Sequence, residues 1–356
     1  MITENMTSNR EDKLKVDRIF NSISIDKIRS IVDLEAVKAN KYLFDAVSMS
    51  EEDILIRCQK TTANNDKVEA LKKIPVVEQR SEEWYDLRQT LITASDFGQA
   101  LGVGKFGSTK DFFIKKVGYQ EVKPLDSSIL KHGVRYEPVA TRFYEKLMNT
   151  TVHEFGLLRH PELDYLGASP DGINDHGRMV EIKCPAKRNI TGEIVEQYYI
   201  QMQGQLDVCQ LQECDFLECK FDEYLDEIDF DEDWNDDKTL SKEGYQKGIV
   251  IEIEGQQNPI YSEPGISKKE YMKWFKKQIK ELHDKDFDVI YYRLTQYSLQ
   301  TIERDDEFLK EKNIALGETW SKILRYKQDK ESYDKEIGYK SPTRKRQTKC
   351  LFRDIE

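Results

Sequence analysis

The sequence predicts an α/β fold (an α+β arrangement) in which a central mixed β-sheet is flanked by helices. Apolar residues recur at helical spacing over 133–148 and again over 193–210. Between them lie runs of β-branched and apolar residues typical of strands, around 152–158, 165–169 and 179–183, and another such run follows at 215–221. This order of helix, strands, helix and strand favours helices packed on a sheet.

The two ends of the chain differ from its central part in their sequence patterns. From Leu14 to Val47 apolar residues recur at an interrupted helical spacing, and a further helical piece covers 51–60. We therefore expect an N-terminal helical extension over residues 1–75. At the other end, Arg344, Lys345 and Arg346 make 336–356 a basic tail. That tail is a phosphate contact, an import signal or a disordered solubilising end, and the sequence leaves these open.

Composition excludes some classes of protein. The formal net charge of −11 argues against indiscriminate binding to polyanions, although a local basic channel would suffice for nucleic acid. Residues 222–237 contain ten Asp or Glu and no Lys or Arg, which predicts a solvated loop. Without an apolar stretch of membrane length or a signal peptide, we expect a soluble intracellular protein with no membrane contact. Its six cysteines include no C-x-x-C pair, so we expect reduced thiols.

The segment 167–185 is the strongest candidate for chemistry. Asp171 lies in a Pro-Asp-Gly turn, and ten residues later Glu181 and Lys183 stand two apart in an apolar run. Period-two alternation in a strand places both side chains on one face, and a hairpin would bring Asp171 beside Glu181. Two carboxylates suit Mg²⁺ or Mn²⁺, and a neighbouring ammonium can orient a water. The alternative is a surface hairpin with solvated charges.

A second candidate site lies upstream. Arg88 is followed by a predicted helix start at Thr93 or Ser95. Hydroxyls and free backbone N–H groups at a helix start, with an arginine nearby, bind phosphate readily. Taken alone, Arg88 fits a surface salt bridge better.

Two predicted helices carry polar side chains whose direction the spacing leaves open. Glu137 falls among apolar residues and either points inward or is exposed. Tyr198, Gln201 and Gln205 are three and four residues apart, so they share one helical face. That face either hydrogen-bonds DNA sugar and phosphate groups or is an ordinary exposed face.

Five motifs follow one another along the chain: Glu-Trp-x-x-x-Arg-x-x-x-Ile-Thr-Ala-Ser, Gly-x-x-x-Glu, Ser-Pro-Asp-Gly, Glu-Ile-Lys-Cys-Pro and Tyr-Ile-Gln-Met-Gln. In this order they resemble the phage lambda exonuclease and YqaJ-like viral recombinase family of the PD-(D/E)xK nuclease superfamily. The resemblance covers about 80–221 and resumes at 301–305. It implies a restriction-endonuclease-like core.

The resemblance also implies a catalytic centre. Asp171 and Glu181 would bind Mg²⁺ together with the backbone carbonyl of Ile182, and Mn²⁺ would substitute. Lys183 would hold the attacking water.

Four further residues are assigned roles by the resemblance. Glu137 is similar to a helical acid that reaches the metal, and Gln201 to a helical glutamine beside the active site. Arg88 and Ser95 match the pair that grips the 5′-phosphate of a DNA end.

The function implied is a metal-dependent 5′-to-3′ exonuclease on double-stranded DNA ends. It would act in recombination, repair or replication of a large DNA virus or phage, in the host cytoplasm or nucleus, with a single-strand annealing protein as partner. The alternatives are a structure-specific or restriction-like endonuclease and a non-catalytic DNA-binding recombination partner. The complete set of Asp171, Glu181 and Lys183 argues against the non-catalytic alternative.

Two departures from the family bear on domains and assembly. Residues 1–75 and an insertion at about 222–288 have no counterpart in the compact phage enzyme, so the nuclease domain is expected over 76–335. A homo-oligomer is expected from the phage enzyme's trimer, but either extra segment could block or rebuild that interface.

Overall fold

A computed structural model describes residues 2–77, 79, 81–103, 107–119 and 128–338. Its strands form a large seven-stranded sheet and a small three-stranded one. They are β1 (Ile92–Thr93), β2 (Val152–His153), β3 (Leu158–Arg159), β4 (Leu166–Ala168), β5 (Gly172–Asn174), β6 (Met179–Lys183), β7 (Glu213–Glu223), β8 (Gln246–Ile253), β9 (Ile260–Tyr261) and β10 (Phe287–Glu303).

The large sheet is mixed, as predicted. Its strand order is β2-β5-β6-β7-β10-β8-β9, and the small sheet has the order β1-β4-β3. Among the described strands of the large sheet, β6 and β7 pair in parallel and the other neighbours are antiparallel. A parallel pair needs a crossover connection, which places a helix over the sheet between β6 and β7.

Helices occupy most of the remaining described chain, and many begin at a serine or aspartate whose side chain caps free N–H groups, as Ser81 and Asp305 do. They are α1 (Ile2–Ser22), α2 (Ile25–Arg29), α3 (Leu34–Ala39), α4 (Glu51–Leu71), α5 (Glu82–Gln89), α6 (Phe97–Ala100), α7 (Thr109–Val117), α8 (Ser128–Met148), α9 (Glu196–Cys209), α10 (Glu227–Glu232), α11 (Lys268–Glu281), α12 (Asp306–Gln328) and α13 (Lys330–Glu336). Short 3₁₀ turns cover Lys41–Leu43 and Ala94–Asp96.

The centre of the large sheet is buried between two helical layers. The crossover helix α9 packs its apolar side chains, such as Ile200 and Leu206, in one core together with Phe216 of β7. A second core contains Tyr144 of α8 and Val180 of β6. Burial on both faces explains why β6 reads as an almost continuous apolar run.

The four helices before residue 72 have an apolar cluster of their own, which includes Phe20, Ile28 and Cys58. They also contact the turn that joins β5 to β6. Asn65 Nδ2 donates to the carbonyl oxygen of Asp175 at 2.8 Å. The helices therefore cover the outer end of this hairpin, while the boundary at residue 75 stays a prediction.

The region of the expected insertion enlarges the sheet, since β8 pairs along β10 and carries β9 on its other side. The expectation of a solvated loop over 222–237 is wrong. Helix α10 lies within it, and Phe230 and Trp234 are buried. Both rings lie 4.1 Å from the ammonium of buried Lys247, so aromatic packing holds this acidic segment in place.

Cys58, Cys184, Cys209, Cys214 and Cys219 are free thiols. Cys350 and the basic residues 344–346 lie outside the described residues. None of the described helices is long and apolar enough to cross a membrane.

Candidate active site

The site is built on the hairpin of β5 and β6. Gly172 pairs with Val180 and Ile173 with Met179, so Asp171 lies at the open end of the hairpin, level with Glu181. Asp171 Oδ2 accepts a hydrogen bond from the backbone N–H of Ile182 at 2.7 Å. A Cβ at Gly172 would stand 2.1 Å from Val152 Cγ1, so only glycine lets β2 approach this closely.

Glu181 and Lys183 point to the same face of β6, as strand alternation predicted. The Lys183 ammonium contacts Glu181 Oε1 directly. Glu181 is only 1% exposed. Its carboxylate is thus a buried charge that needs hydrogen-bond partners.

Helix α9 supplies those partners. Gln201 Nε2 donates to Glu181 Oε1 at 2.7 Å, and Gln205 Nε2 donates to Glu181 Oε2 at 2.7 Å. The alternative of an ordinary exposed face is therefore wrong, because these two glutamines contact a buried carboxylate. Contact of this face with DNA stays a prediction. The family resemblance assigned a role to Gln201 but none to Gln205, whose spacing of one helical turn from Gln201 was the available signal.

Lys183 lies among groups that favour its charged form. Burial alone would lower the pKa of Lys183, but the charges of Glu181 and Asp171 outweigh it and raise that pKa above the usual lysine range. The ammonium also lies 5.2 Å from the ring centroid of Tyr198. Lys183 is therefore a donor of hydrogen bonds and positive charge near neutral pH.

Negative charge at the site exceeds positive charge. Burial, then the charges of Glu181 and Glu137, raise the pKa of Asp171 well above the ordinary aspartate range, and Lys183 only partly opposes them. The charge of Glu137 on α8 thus acts on Asp171, which favours the inward alternative, while its role in the site stays a prediction.

This donor chemistry fits a divalent cation. Asp171 and Glu181 offer hard carboxylate oxygens, and a cation would offset the excess negative charge. Within the described ranges, no three His, Cys, Asp or Glu side chains form a ready metal-binding group. In this arrangement Lys183 and two glutamines bind the Glu181 oxygens. The assignment of Asp171, Glu181, Glu137 and the Ile182 carbonyl as ligands stays a prediction.

The structure brings Arg88 and Ser95 together. Arg88 Nη2 donates to Ser95 Oγ at 3.0 Å, and the Arg88 guanidinium carbon lies 4.4 Å from the centroid of the Trp84 ring. Trp84 Nε1 in turn donates to Ser169 Oγ at 3.2 Å. Ser169 precedes Asp171 by two residues, so this pair lies beside the loop that carries the catalytic candidates.

Residues 83–212 match the family model of the YqaJ-like viral recombinase domain. The matched segment contains the hairpin, α9 and the pair of Arg88 and Ser95. The family resemblance predicted from the order of the motifs is thereby confirmed for this segment.

The chain is also similar to an uncharacterized protein of Acanthamoeba polyphaga mimivirus, with 29% identity over 89% of this chain. The aligned part spans 64% of that relative. Among solved structures, an alkaline exonuclease from Laribacter hongkongensis matches 70% of this chain and 95% of its own, with 21% identity and a TM-score of 0.44. A phage-related exonuclease from Haemophilus somnus matches 68% and 96%, with 12% identity and a TM-score of 0.37. Both TM-scores are too low to transfer a fold or an activity.

Proposed function

We propose that this chain, whose residues 83–212 match a YqaJ-like viral recombinase domain, is a divalent-metal-dependent 5′-to-3′ exonuclease on double-stranded DNA. Its role would lie in recombination, repair or replication of a large DNA virus. One observation carries the proposal. The β5–β6 hairpin places Asp171, Glu181 and Lys183 together with Gln201 of α9 inside the matched segment. The viral relative supports the viral context.

Each residue of the site has its own role in the proposed reaction. Asp171 and Glu181, with the Ile182 carbonyl and Glu137, would hold Mg²⁺ or Mn²⁺. When bound, such an ion supplies Lewis-acid polarisation of the phosphodiester. Lys183 orients the attacking water and offsets negative charge that develops on the phosphate. Attack on phosphorus breaks the bond to the 3′ oxygen, which leaves as a hydroxyl after taking up a proton, so products carry 5′-phosphates.

Gln201 and Gln205 fix the carboxylate of Glu181. Each glutamine donates one amide hydrogen bond to a different oxygen of the carboxylate, which prevents it from rotating. A metal ligand held by such bonds is oriented before substrate arrives.

The pair of Arg88 and Ser95 supports the 5′-to-3′ direction. Its guanidinium and hydroxyl suit a terminal phosphate, and Trp84 links it to the loop before Asp171. A 5′-phosphate held there would present the first phosphodiester to the hairpin. A single-strand annealing protein as partner and a homo-oligomer stay predictions.

The decisive test uses a linear duplex labelled at either the 5′ or the 3′ end, incubated with Mg²⁺ or with EDTA. We expect Mg²⁺-dependent release from the 5′ label first. Lys183→Ala and Asp171→Ala should lower turnover by about 10³-fold or more while DNA binding persists. Lys310→Ala, an exposed lysine on α12, serves as the control with unchanged activity.

Three outcomes would reject the proposal. Turnover retained in purified Lys183→Ala or Asp171→Ala would remove the hairpin from the chemistry. Cleavage of a covalently closed circular duplex would instead favour a structure-specific or restriction-like endonuclease, since an exonuclease needs an end. DNA binding by wild type without any cleavage would favour a non-catalytic recombination partner.

A further inference from the structure

A buried lysine lies beneath Arg88 and Ser95. The side chain of Lys116, on α7, is 0% exposed. Its Nζ donates to the carbonyl oxygens of Arg88 at 2.7 Å and Leu91 at 2.6 Å, and lies 2.8 Å from Asp96 Oδ2. An ammonium has three N–H donors, so three acceptors satisfy it fully.

These acceptors belong to the two segments that carry the pair. The carbonyl of Arg88 lies in the last turn of α5, where carbonyls lack the regular helical partner, and the carbonyl of Leu91 lies just beyond the helix end. Asp96 directly follows Ser95. Asp96 Oδ2 also accepts from Thr93 Oγ1 at 2.8 Å, and that hydroxyl lies 3.3 Å from Ser95 Oγ. The Lys116 ammonium therefore connects the backbone of Arg88 to the turn that contains Ser95.

Electrostatic interactions keep the ion pair between Lys116 and Asp96 formed. Burial would raise the pKa of Asp96, but the charges of Lys116, Lys115 and Arg88 hold it well below the usual aspartate range. The carboxylate therefore stays charged. Burial lowers the pKa of Lys116 to about 8, so the ammonium still carries its proton at neutral pH and remains paired. A buried pair of this kind fixes a geometry more than it adds stability.

We propose that Lys116 is a positioning residue for recognition of the DNA end, holding Arg88 and Ser95 at the separation at which both contact one 5′-phosphate. The inference rests on the proposed function and names a determinant of its substrate preference. Lys116 itself does not touch DNA, because its side chain is enclosed by the protein. Its loss should affect discrimination between ends and leave the hairpin chemistry in place.

The test replaces the ammonium with an uncharged side chain of similar length. Wild type and Lys116→Met are compared on duplexes that carry either a 5′-phosphate or a 5′-hydroxyl. The ratio of the two rates, measured on one preparation, does not depend on the folded fraction. We expect Lys116→Met to reduce this ratio about tenfold, corresponding to one lost charge-assisted contact, with a raised KM on phosphorylated ends and an unchanged rate on hydroxyl ends.

The matched control is Lys110→Met on the same helix, whose ammonium binds the Gly338 carbonyl at 3.1 Å away from the pair. It should keep the wild-type ratio. If Lys116→Met yields no folded protein, Asp96→Asn tests the same ion pair between Lys116 and Asp96 and should also lower the ratio of the two rates.

The outcomes separate the two proposals. A wild-type preference that survives in Lys116→Met or Asp96→Asn overturns the role of Lys116 and leaves the exonuclease untouched. If the wild-type enzyme degrades phosphorylated and hydroxyl ends at equal rates, the binding of the 5′-phosphate by Arg88 and Ser95 and the positioning role of Lys116 are both overturned. A preference lost equally in Lys110→Met would also overturn the role of Lys116.

Discussion

Two buried clusters of charged side chains lie at opposite ends of β6, and they differ in charge balance. At the inner end, called here the inner site, Asp171 and Glu181 adjoin the ammonium of Lys183. The pKa of Asp171 is raised well above its ordinary range by burial and by the charges of Glu181 and Glu137. At the outer end, Arg178 lies in a cluster in which cations and anions match.

The outer cluster, called here the Arg178 cluster, consists of three cations and three carboxylates. Arg178 contacts Asp17 at 2.9 Å, Glu213 at 3.2 Å and Asp215 at 3.3 Å. Arg57 pairs with Asp17, and Lys60 Nζ lies 3.2 Å from Glu213. Asp215 also accepts from the Tyr144 hydroxyl at 2.8 Å.

The pKa shifts of the three carboxylates in the Arg178 cluster show how burial and the neighbouring cations oppose each other. Burial would raise the pKa of Asp17 and of Glu213, but Arg178 and the second cation beside each of them outweigh burial and lower both pKa values. At Asp215 burial prevails and the pKa is raised. Because its three cations match its three carboxylates, the cluster is neutralised by the protein itself, whereas the inner site leaves charge for a cation to offset. This difference distinguishes a structural cluster from the proposed catalytic site at the other end of the β5–β6 hairpin.

The largest expected effect comes from removing the central cation of the outer cluster. Arg178→Met leaves Asp17, Glu213 and Asp215 in the interior with too few partners, so we expect a loss of about 3–5 kcal/mol in the free energy of unfolding, measured by urea denaturation. Arg325→Met breaks an exposed ion pair with Glu336 and should cost at most about 1 kcal/mol. Equal losses in the two variants would contradict the importance of the buried cluster.

Adding a divalent metal should stabilise the protein through the inner site and not through the Arg178 cluster. A divalent cation that binds only the folded protein adds about 2.7 kcal/mol when present at about 100 times its Kd, so Mg²⁺ or Mn²⁺ should raise the Tm of wild type and EDTA should reverse the rise. Asp171→Asn, which keeps the side-chain shape, should lose this response. Asp17→Asn in the outer cluster should keep it, and an equal response in all three proteins would place the cation elsewhere.

The smallest effect concerns acid stability. Because the pKa of Asp17 is lower in the folded protein than in the unfolded chain, its contribution is complete above the unfolded pKa of about 4 and disappears as pH falls through the folded pKa. Asp17→Asn should lose about 2 kcal/mol near neutral pH and show a shallower decline below pH about 4. Denaturation curves over a pH series measure both, and parallel pH profiles would exclude the ion pair as the cause.

Much of the inner site could be predicted from the sequence, because its geometry follows from short-range rules. Alternation along 179–183 places Glu181 and Lys183 on one face, and a ten-residue separation with an intervening turn suits a hairpin that returns to Asp171. Helical spacing likewise grouped Gln201 with Gln205. What that glutamine face contacts could not be predicted, since it depends on how α9 packs across β6.

The outer cluster and the acidic segment were beyond prediction for the same reason. Asp17 and Arg178 are 161 positions apart, and no local pattern connects them. The acidic run 222–237 predicted a loop because composition reports charge, whereas the burial of Phe230 and Trp234 depends on β8 and α11 closing around them. The same limit hid the contact of Lys116 with the carbonyl of Arg88.

By itself the sequence determined the fold class, the family resemblance of its central segment and the identity of the chemical groups, because periodicity, turn residues and the order of motifs are local properties of the chain. Tertiary structure alone decided which charges are balanced and which are left over. Burial and Coulomb interactions depend on distances between residues far apart in sequence. The β5–β6 hairpin therefore carries a self-neutralised cluster at Arg178 and, at its open end, the carboxylates of Asp171 and Glu181, whose charge Lys183 only partly opposes.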